Sequence, residues 1–385
     1  MKIALICTEK LPSPAVRGGA IQIMIDGILP FLIQHHDVTV FSITDPNLPD
    51  RETKPSLEYV RFPRDQYEQL VCGELRKREF DLVHVCNRPK NIAMYKHAAP
   101  GSAFVLSLHN DMFSELKICR EDSLEAIKHA DAITAVSEYI KRCVIGRYPH
   151  AEAKVHVLYS GVDLSLFSPP WSGYGRMLRE EARKAYGLRE SKVILFIGRL
   201  SKTKGPDILI DSLPDVLSEH PDSVLTIVGG KWFSDNTVNE YVRSLHEKAQ
   251  NYGKHVTFTG YIPQDKIPEI MAMGDLFVCS SQWHEPLARI HFEAMAAGIP
   301  IITSNRGGNP EIIKHGINGL IIQEYDRSGA YAEAINQLLS NPVKAGAMAQ
   351  TGRQIVEEKH QFKHVAANLA AIYNKVLAER NSSAS

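Results

Sequence analysis

Two glutamates eight positions apart, Glu285 and Glu293 in HEPLARIHFEAMAAGIP, are the most chemically suggestive pair in this chain. Pro286 suits a first helical turn, so a helix is expected to start there, with Glu285 just ahead of it and Glu293 two turns in. The amides of Leu287, Ala288 and Arg289 would then point out of the helix start, where phosphate oxygens bind. A carboxylate can accept from two hydroxyls at once, which suits a sugar at Glu285 and a ribose at Glu293. As ordinary residues, Glu285 would favour the helix dipole and Glu293 would be a surface charge. The small residues Ala294, Ala296, Ala297 and Gly298 instead imply a closely packed helix. A glutamate inside such packing needs a partner, so binding is the better reading.

GRLSKTKG, residues 198–205, adds two cations. Arg199 and Lys204 leave a core strand just before a Gly that opens a helix, a place suited to a diphosphate. Alone, the segment is slightly better explained as a solvated loop, since basic loops are common. PSPAVRGGAIQ, residues 12–22, carries Gly18 and Gly19, which allow backbone to approach a ligand closely. A helix cap explains one of these glycines and leaves the other. The loop is not GxGxxG, which argues against a nicotinamide or flavin site. His109 ends the strand FVLSLH, where an imidazole can hydrogen-bond a sugar, although a lone histidine is more often structural. The other fifteen histidines are read as surface or packing residues. No two aspartates are separated by one residue. A diphosphate is therefore expected to rest on Arg199, Lys204 and the 287–289 amides, without a metal ion.

The elements that must position these residues alternate along the chain. Strands are expected at 2–7, 38–42, 82–86, 104–109, 132–136 and 155–160. A second round follows at 193–199, 224–230, 256–260, 276–281, 300–305 and 319–323. Continuous apolar runs such as VILFI imply strands covered on both faces, hence parallel sheets with helices on each side. The fold class is α/β, with two doubly wound, Rossmann-like domains facing across a cleft. The boundaries are 1–165 for an acceptor-side domain and 166–362 for a donor domain. A helix in 363–385 is expected to pack back on the first domain and to end in a disordered NSSAS tail. Residues 161–192, with Pro-Pro, Gly and Ser, read as a linker followed by one charged helix. Ligands of such sheets bind beyond the carboxyl ends of strands, which is where most of the residues above fall.

A chain of 385 residues exceeds one ordinary core, in keeping with two domains. Apolar residues make up 44% and charged ones 23%, with 44 basic against 44 acidic side chains. No global field points to nucleic acid or an anionic membrane. ELRKREF, residues 74–80, reads as a solvated helix face rather than a membrane patch. No apolar run reaches bilayer length, and KIALIC is too short for a signal-peptide core. The six cysteines form no CxxC pair, so reduced thiols are expected rather than disulfides or a zinc site.

Five motifs in order carry a family likeness: RGGA, SGVDLSLFSP, GRLSKTKG, EPLARIHFEAMAAGIPII and SNRGGNPEIIKHGINGLII. Over nearly its full length the chain resembles retaining GT-B glycosyltransferases of glycosyltransferase family 4, and within them members from the spore coats of bacilli. The resemblance implies a nucleotide-diphosphate-sugar donor, no metal and no other cofactor. It assigns the diphosphate to Arg199 and Lys204, the ribose to Glu293 and the transferred sugar to Glu285. Gly18 and Gly19 would approach the donor, and His109 would act beside its sugar. Retention in this family is explained by front-face attack, with the departing phosphate taking the acceptor proton. The acceptor, a glycan, protein or lipid, is unidentified, and other coat proteins are implied as partners. No nucleic acid and no transmembrane segment are expected, and the implied location is the cytoplasm or the spore coat. Leu287-Ala288 departs from the family's Phe-Gly, and Ser160 replaces its Asn. That first departure keeps one rival in view, a coat protein with an inactive sugar-nucleotide pocket; a GT-B UDP-sugar epimerase is a separate alternative. Donor binding without turnover marks the first, and an altered sugar without acceptor marks the second.

Overall fold

The computed structural model describes residues 1–231 and 237–384. The chain divides into two units, Met1–Gly161 with Phe362–Ser385, and Val162–Gln361.

In the first unit the strands are β1 (Lys2–Ile6), β2 (Asp37–Ile43), β3 (Arg51–Lys54), β4 (Leu57–Phe62), β5 (Leu82–Cys86), β6 (Ala103–Leu108), β7 (Ala132–Ala135) and β8 (Val155–Val157). They form one sheet ordered β3-β4-β2-β1-β5-β6-β7-β8. β3 pairs antiparallel with β4, and the remaining neighbours run parallel. β3 and β4 were not expected. RETK is mostly charged and exposed, with no apolar alternation, and it is held by pairing along β4. The chain reverses direction of winding between β1 and β5, so the loops leaving these strands meet at a topological switch point.

The last helix, Phe362–Ala384, belongs to this unit and packs on the helix Ala20–Leu32. Phe362, Leu369, Tyr373 and Val376 join Met24 and Ile28 in one buried cluster. The Tyr373 hydroxyl lies 2.5 Å from His84 Nδ1. Burial pushes the His84 imidazole down to about 3, with the charge of His109 adding to it, so the ring stays neutral. The final helix runs on to Ala384, into the NSSAS segment. Each added residue gains one backbone hydrogen bond without a new nucleation cost. Ser385 lies outside the described residues.

The second unit contains β9 (Lys192–Ile197), β10 (Ser223–Val228), β11 (Val256–Gly260), β12 (Leu276–Cys279), β13 (Ile301–Ser304) and β14 (Leu320–Ile322). These run parallel in the order β11-β10-β9-β12-β13-β14. Ile194, Phe196, Leu225, Ile227, Val278 and Ile302 form its buried centre, as continuous apolar strands require. The switch point here lies between β9 and β12. The charged helix Gly173–Ala185 follows the linker, and its Arg183 Nε donates to the Met273 carbonyl at 3.0 Å. All six cysteines are free. Among the described residues no helix is long and apolar enough to cross a membrane.

Candidate functional site

The switch point of the second unit brings together side chains from three strand ends. Lys204 sits on the loop after β9, and Glu285 lies on the loop after β12. The Lys204 ammonium pairs with Glu285 Oε2 across 81 positions of sequence. Two neutral donors converge on the same oxygen. Ser281 Oγ donates to it at 3.0 Å, and the Trp283 indole N–H at 2.8 Å. Oε1 of Glu285 takes no hydrogen bond from the described residues, although the residue is only 7% exposed. One oxygen is anchored three times and the other is left to accept. Burial raises the Glu285 pKa, but the charge and hydrogen bond of Lys204, with the Trp283 and Ser281 donors, hold it below the usual range. It is an ionised acceptor, not an acid.

Arg199, also after β9, is largely desolvated. Burial lowers its pKa and the field of Glu285 partly restores it, which puts the guanidinium in electrostatic reach of that carboxylate. The loop after β13 closes the site from a third side. Gly307 has φ +61, and a Cβ there would lie 1.9 Å from the Glu285 carbonyl oxygen. Only glycine lets this loop lie against the Glu285 backbone, where the Gly308 N–H donates to that carbonyl at 2.8 Å.

The second glutamate is held in a similar way by different partners. Arg289 Nη2 donates to Glu293 Oε1 at 2.7 Å, and Gln264 Nε2, from the loop after β11, donates to the same atom at 3.2 Å. Glu293 Oε2 takes no hydrogen bond from the described residues. The pair is buried, with side chains 12% and 6% exposed for Arg289 and Glu293.

Two sequence expectations about this segment change. The helix does not start at Pro286; it spans Ile290–Ala297, with Arg289 as its N-cap. Residues 286–289 form an irregular loop because Gly308 and Asn309 pin it. Asn309 Oδ1 accepts the Ala288 N–H at 3.2 Å, so that amide is already engaged. The Arg289 guanidinium reaches one turn along the helix to Glu293. Leu287 and Ala288 are both buried at 7% exposure. The His291 imidazole bridges the Ala288 carbonyl and Thr303 Oγ1 at 2.9 and 2.8 Å, tying the loop to β13.

Gly18, Gly19 and His109 lie in the first unit. Gly18 and Gly19 have φ of 75° and 102°, so both positions demand glycine, and a Cβ at Gly19 would meet Gln22 Oε1 and Leu11 Cδ1 at 2.6 Å. The N–H of His109 donates to Asn87 Oδ1 at 3.0 Å, which ties the end of β6 to the end of β5. At this unit's switch point Arg88 donates to both oxygens of Glu9 along one edge of its guanidinium, from Nε and Nη2, at 2.6 and 2.7 Å.

Sequence reasoning missed Ser281, Trp283, Gln264, Gly307 and Asn309. Ser281 and Trp283 stand two to four residues before Glu285, so strand-end position was a usable signal. Gln264 had none beyond following a strand, being 29 positions from its partner. Among the described residues no group of three or more His, Cys, Asp or Glu is placed to hold a metal ion.

A family model described as "Glycosyl transferases group 1" matches residues 179–355, and one described as "Glycosyltransferase Family 4" matches residues 24–166. The Bacillus subtilis (strain 168) protein named "Putative glycosyltransferase YtcC" is 50% identical over 381 residues, covering 99% of this chain and 94% of that one. Spore coat protein SA of the same organism is 49% identical, with 97% and 100% covered. Among solved structures, Anabaena HepE in complex with UDP and glucose aligns with a TM-score of 0.78 at 24% identity, covering 96% and 98% of the two chains. Sucrose-phosphate synthase from Thermosynechococcus elongatus aligns with a TM-score of 0.78 at 21% identity, covering 98% and 99%.

Proposed function

This chain belongs to the GT-B glycosyltransferases, and from that premise we propose that it is a retaining, metal-independent hexosyltransferase using a nucleoside-diphosphate sugar. The observation that carries the reading is Glu285: a buried, ionised carboxylate with one oxygen fixed by three donors and the other open, beside Lys204 and Arg199. The open oxygen accepts a hydroxyl of the transferred sugar. Lys204 and Arg199 receive the diphosphate and stabilise the charge that grows on it as the glycosidic bond breaks. Glu293 accepts a ribose hydroxyl through Oε2.

In this mechanism the acceptor hydroxyl attacks the anomeric carbon from the face that the diphosphate leaves, and the leaving oxygen takes its proton. The protein supplies position and charge, with no enzymic nucleophile. His109 and the Gly18-Gly19 loop are assigned to the first unit's share of substrate binding, together with the acceptor, a glycan, protein or lipid. The 49% identity to spore coat protein SA supports a role in a spore coat or cell-surface glycan, with coat proteins as partners.

The test is a panel of UDP-, GDP- and ADP-sugars, read by nucleotide binding and by donor hydrolysis with and without excess chelator. The expected outcome is tight binding and slow hydrolysis of one donor, unchanged by chelator. Binding with no turnover would move the chain to the coat-scaffold reading, and activity abolished by chelator but restored by manganese would overturn metal independence.

A further inference from the structure

One cation of the second unit is not used by the site as described. Arg306 opens the loop after β13, and its guanidinium carbon stacks 4.1 Å from the centroid of the Tyr325 ring. The platform is fixed, because the Tyr325 carbonyl accepts Gln282 Nε2 at 2.8 Å and the Tyr331 hydroxyl at 2.9 Å. Yet Arg306 Nε is closed off from solvent with no hydrogen-bond partner among the described residues. Other arginines of the unit are satisfied: Arg183 by Met273 and Ser191 carbonyls, Arg289 by Glu293, Arg353 by the Phe167 carbonyl. Nearby acids are already engaged, Glu285 by Lys204 and Glu324 by Arg327. A buried guanidinium N–H without an acceptor is rare in folded proteins and calls for a missing partner.

Its position says what kind of partner. The next residue, Gly307, is the one whose backbone presses on the Glu285 carbonyl. Arg306 also lies close enough to His284, the neighbour of Glu285, for its charge to be felt there. The loop that carries Arg306 therefore lies against the Glu285 backbone on the β13 side, while Lys204 and Arg199 come from β9. A planar, aromatic-backed guanidinium is matched to a carboxylate or phosphate group.

We propose that Arg306 binds an anionic substituent, a carboxylate or phosphate oxygen, carried by a substrate next to the transferred sugar. The proposal rests on the reading of Glu285 as the sugar-binding carboxylate. Two sources share this chemistry, an acidic transferred sugar and a phosphorylated acceptor, and the experiment separates them.

Wild type, Arg306→Gln and Arg306→Lys are compared by calorimetry with the nucleotide the donor panel selects. For uridine, the first arm sets UDP-glucuronate against UDP-glucose, with UDP alone as control. The second arm titrates glucose 6-phosphate against glucose into UDP-loaded protein. The expected result is a wild-type preference of at least tenfold for the anionic member of one arm, lost in Arg306→Gln and partly restored in Arg306→Lys, with UDP affinity unchanged. The arm that shows the preference identifies the source. No preference in either arm, a preference that survives Arg306→Gln, or an equal loss of UDP affinity in that variant overturns the proposal alone. Failure of the wild type to bind any nucleotide or nucleotide sugar overturns the donor reading as well.

Discussion

The two units have the same kind of sheet, and each bridges its switch point with an ion pair, but the pairs are built differently. In the first unit Glu9 gives both oxygens to Arg88, one to Nε and one to Nη2. Both partners are 20% exposed. Burial raises the Glu9 pKa, and the Arg88 hydrogen bonds outweigh it, so the carboxyl is held low. In the second unit Glu285 is more deeply buried and gives all its protein donors one oxygen. A bidentate pair closes on itself, whereas a carboxylate anchored through one atom is rigid and still unsatisfied. The same fold thus makes one crevice that is braced and one that keeps an open acceptor oxygen.

This contrast can be broken most directly at Glu285. Glu285→Gln keeps the shape but removes the charge, and kcat/KM for donor turnover should fall by about 10²–10³, the scale of losing one preorganised electrostatic group. Nucleoside-diphosphate affinity should stay within a few-fold; a parallel collapse of affinity would mean the carboxylate only holds the loop together.

Lys204→Ala comes next. It leaves a buried carboxylate without its cation, which costs about 3–5 kcal/mol when the pair is truly buried. The sign of the pH response should reverse. In wild type the depressed Glu285 pKa adds stability above the unfolded value of about 4.3, lost as pH falls through the folded value. Without Lys204, burial dominates, the folded pKa rises, and stability is regained as the pH falls through it. Thermal unfolding of both proteins from pH 8 to pH 3 reads this out, and parallel curves would refute it.

Trp283→Phe sharpens the point about anchoring, because it keeps an aromatic ring but removes the N–H along with the five-membered half of the indole. A hydrogen bond to a charged group contributes about 1.5–3 kcal/mol, so kcat/KM should drop by roughly 10- to 150-fold, with a lowered melting temperature alongside it. The smallest effect is expected at the first switch point. Arg88→Ala should cost about 1 kcal/mol or less, as for partly exposed pairs, with donor affinity unchanged. A large loss of donor affinity there would erase the distinction between the two crevices.

Much of this was readable in one dimension. Runs such as VILFI and LVHVC announce strands buried on both faces, since only apolar side chains tolerate both neighbours. Lys204 and Glu285 could be picked out because each follows such a strand. The β3–β4 hairpin could not, because RETK gains its structure from a partner strand and not from its own pattern. Pro286 gave a helix-start signal that tertiary contacts overrode, as Asn309 and Gly308 hold residues 286–289 in a loop. Arg289 was legible as a charge, but its direction was not.

The amino-acid order alone settled which residues carry charge, which apolar stretches are strands of the two parallel sheets, and that ionisable groups gather at strand ends. These follow from side-chain chemistry and from periodicities that act over a few residues. Only the folded chain decided which oxygen of Glu285 is anchored, that Gln264 reaches Glu293, and that Arg306 Nε is left without an acceptor. Those outcomes depend on strand order bringing together loops 29 to 81 positions apart, where a shift of an ångström makes or breaks a hydrogen bond.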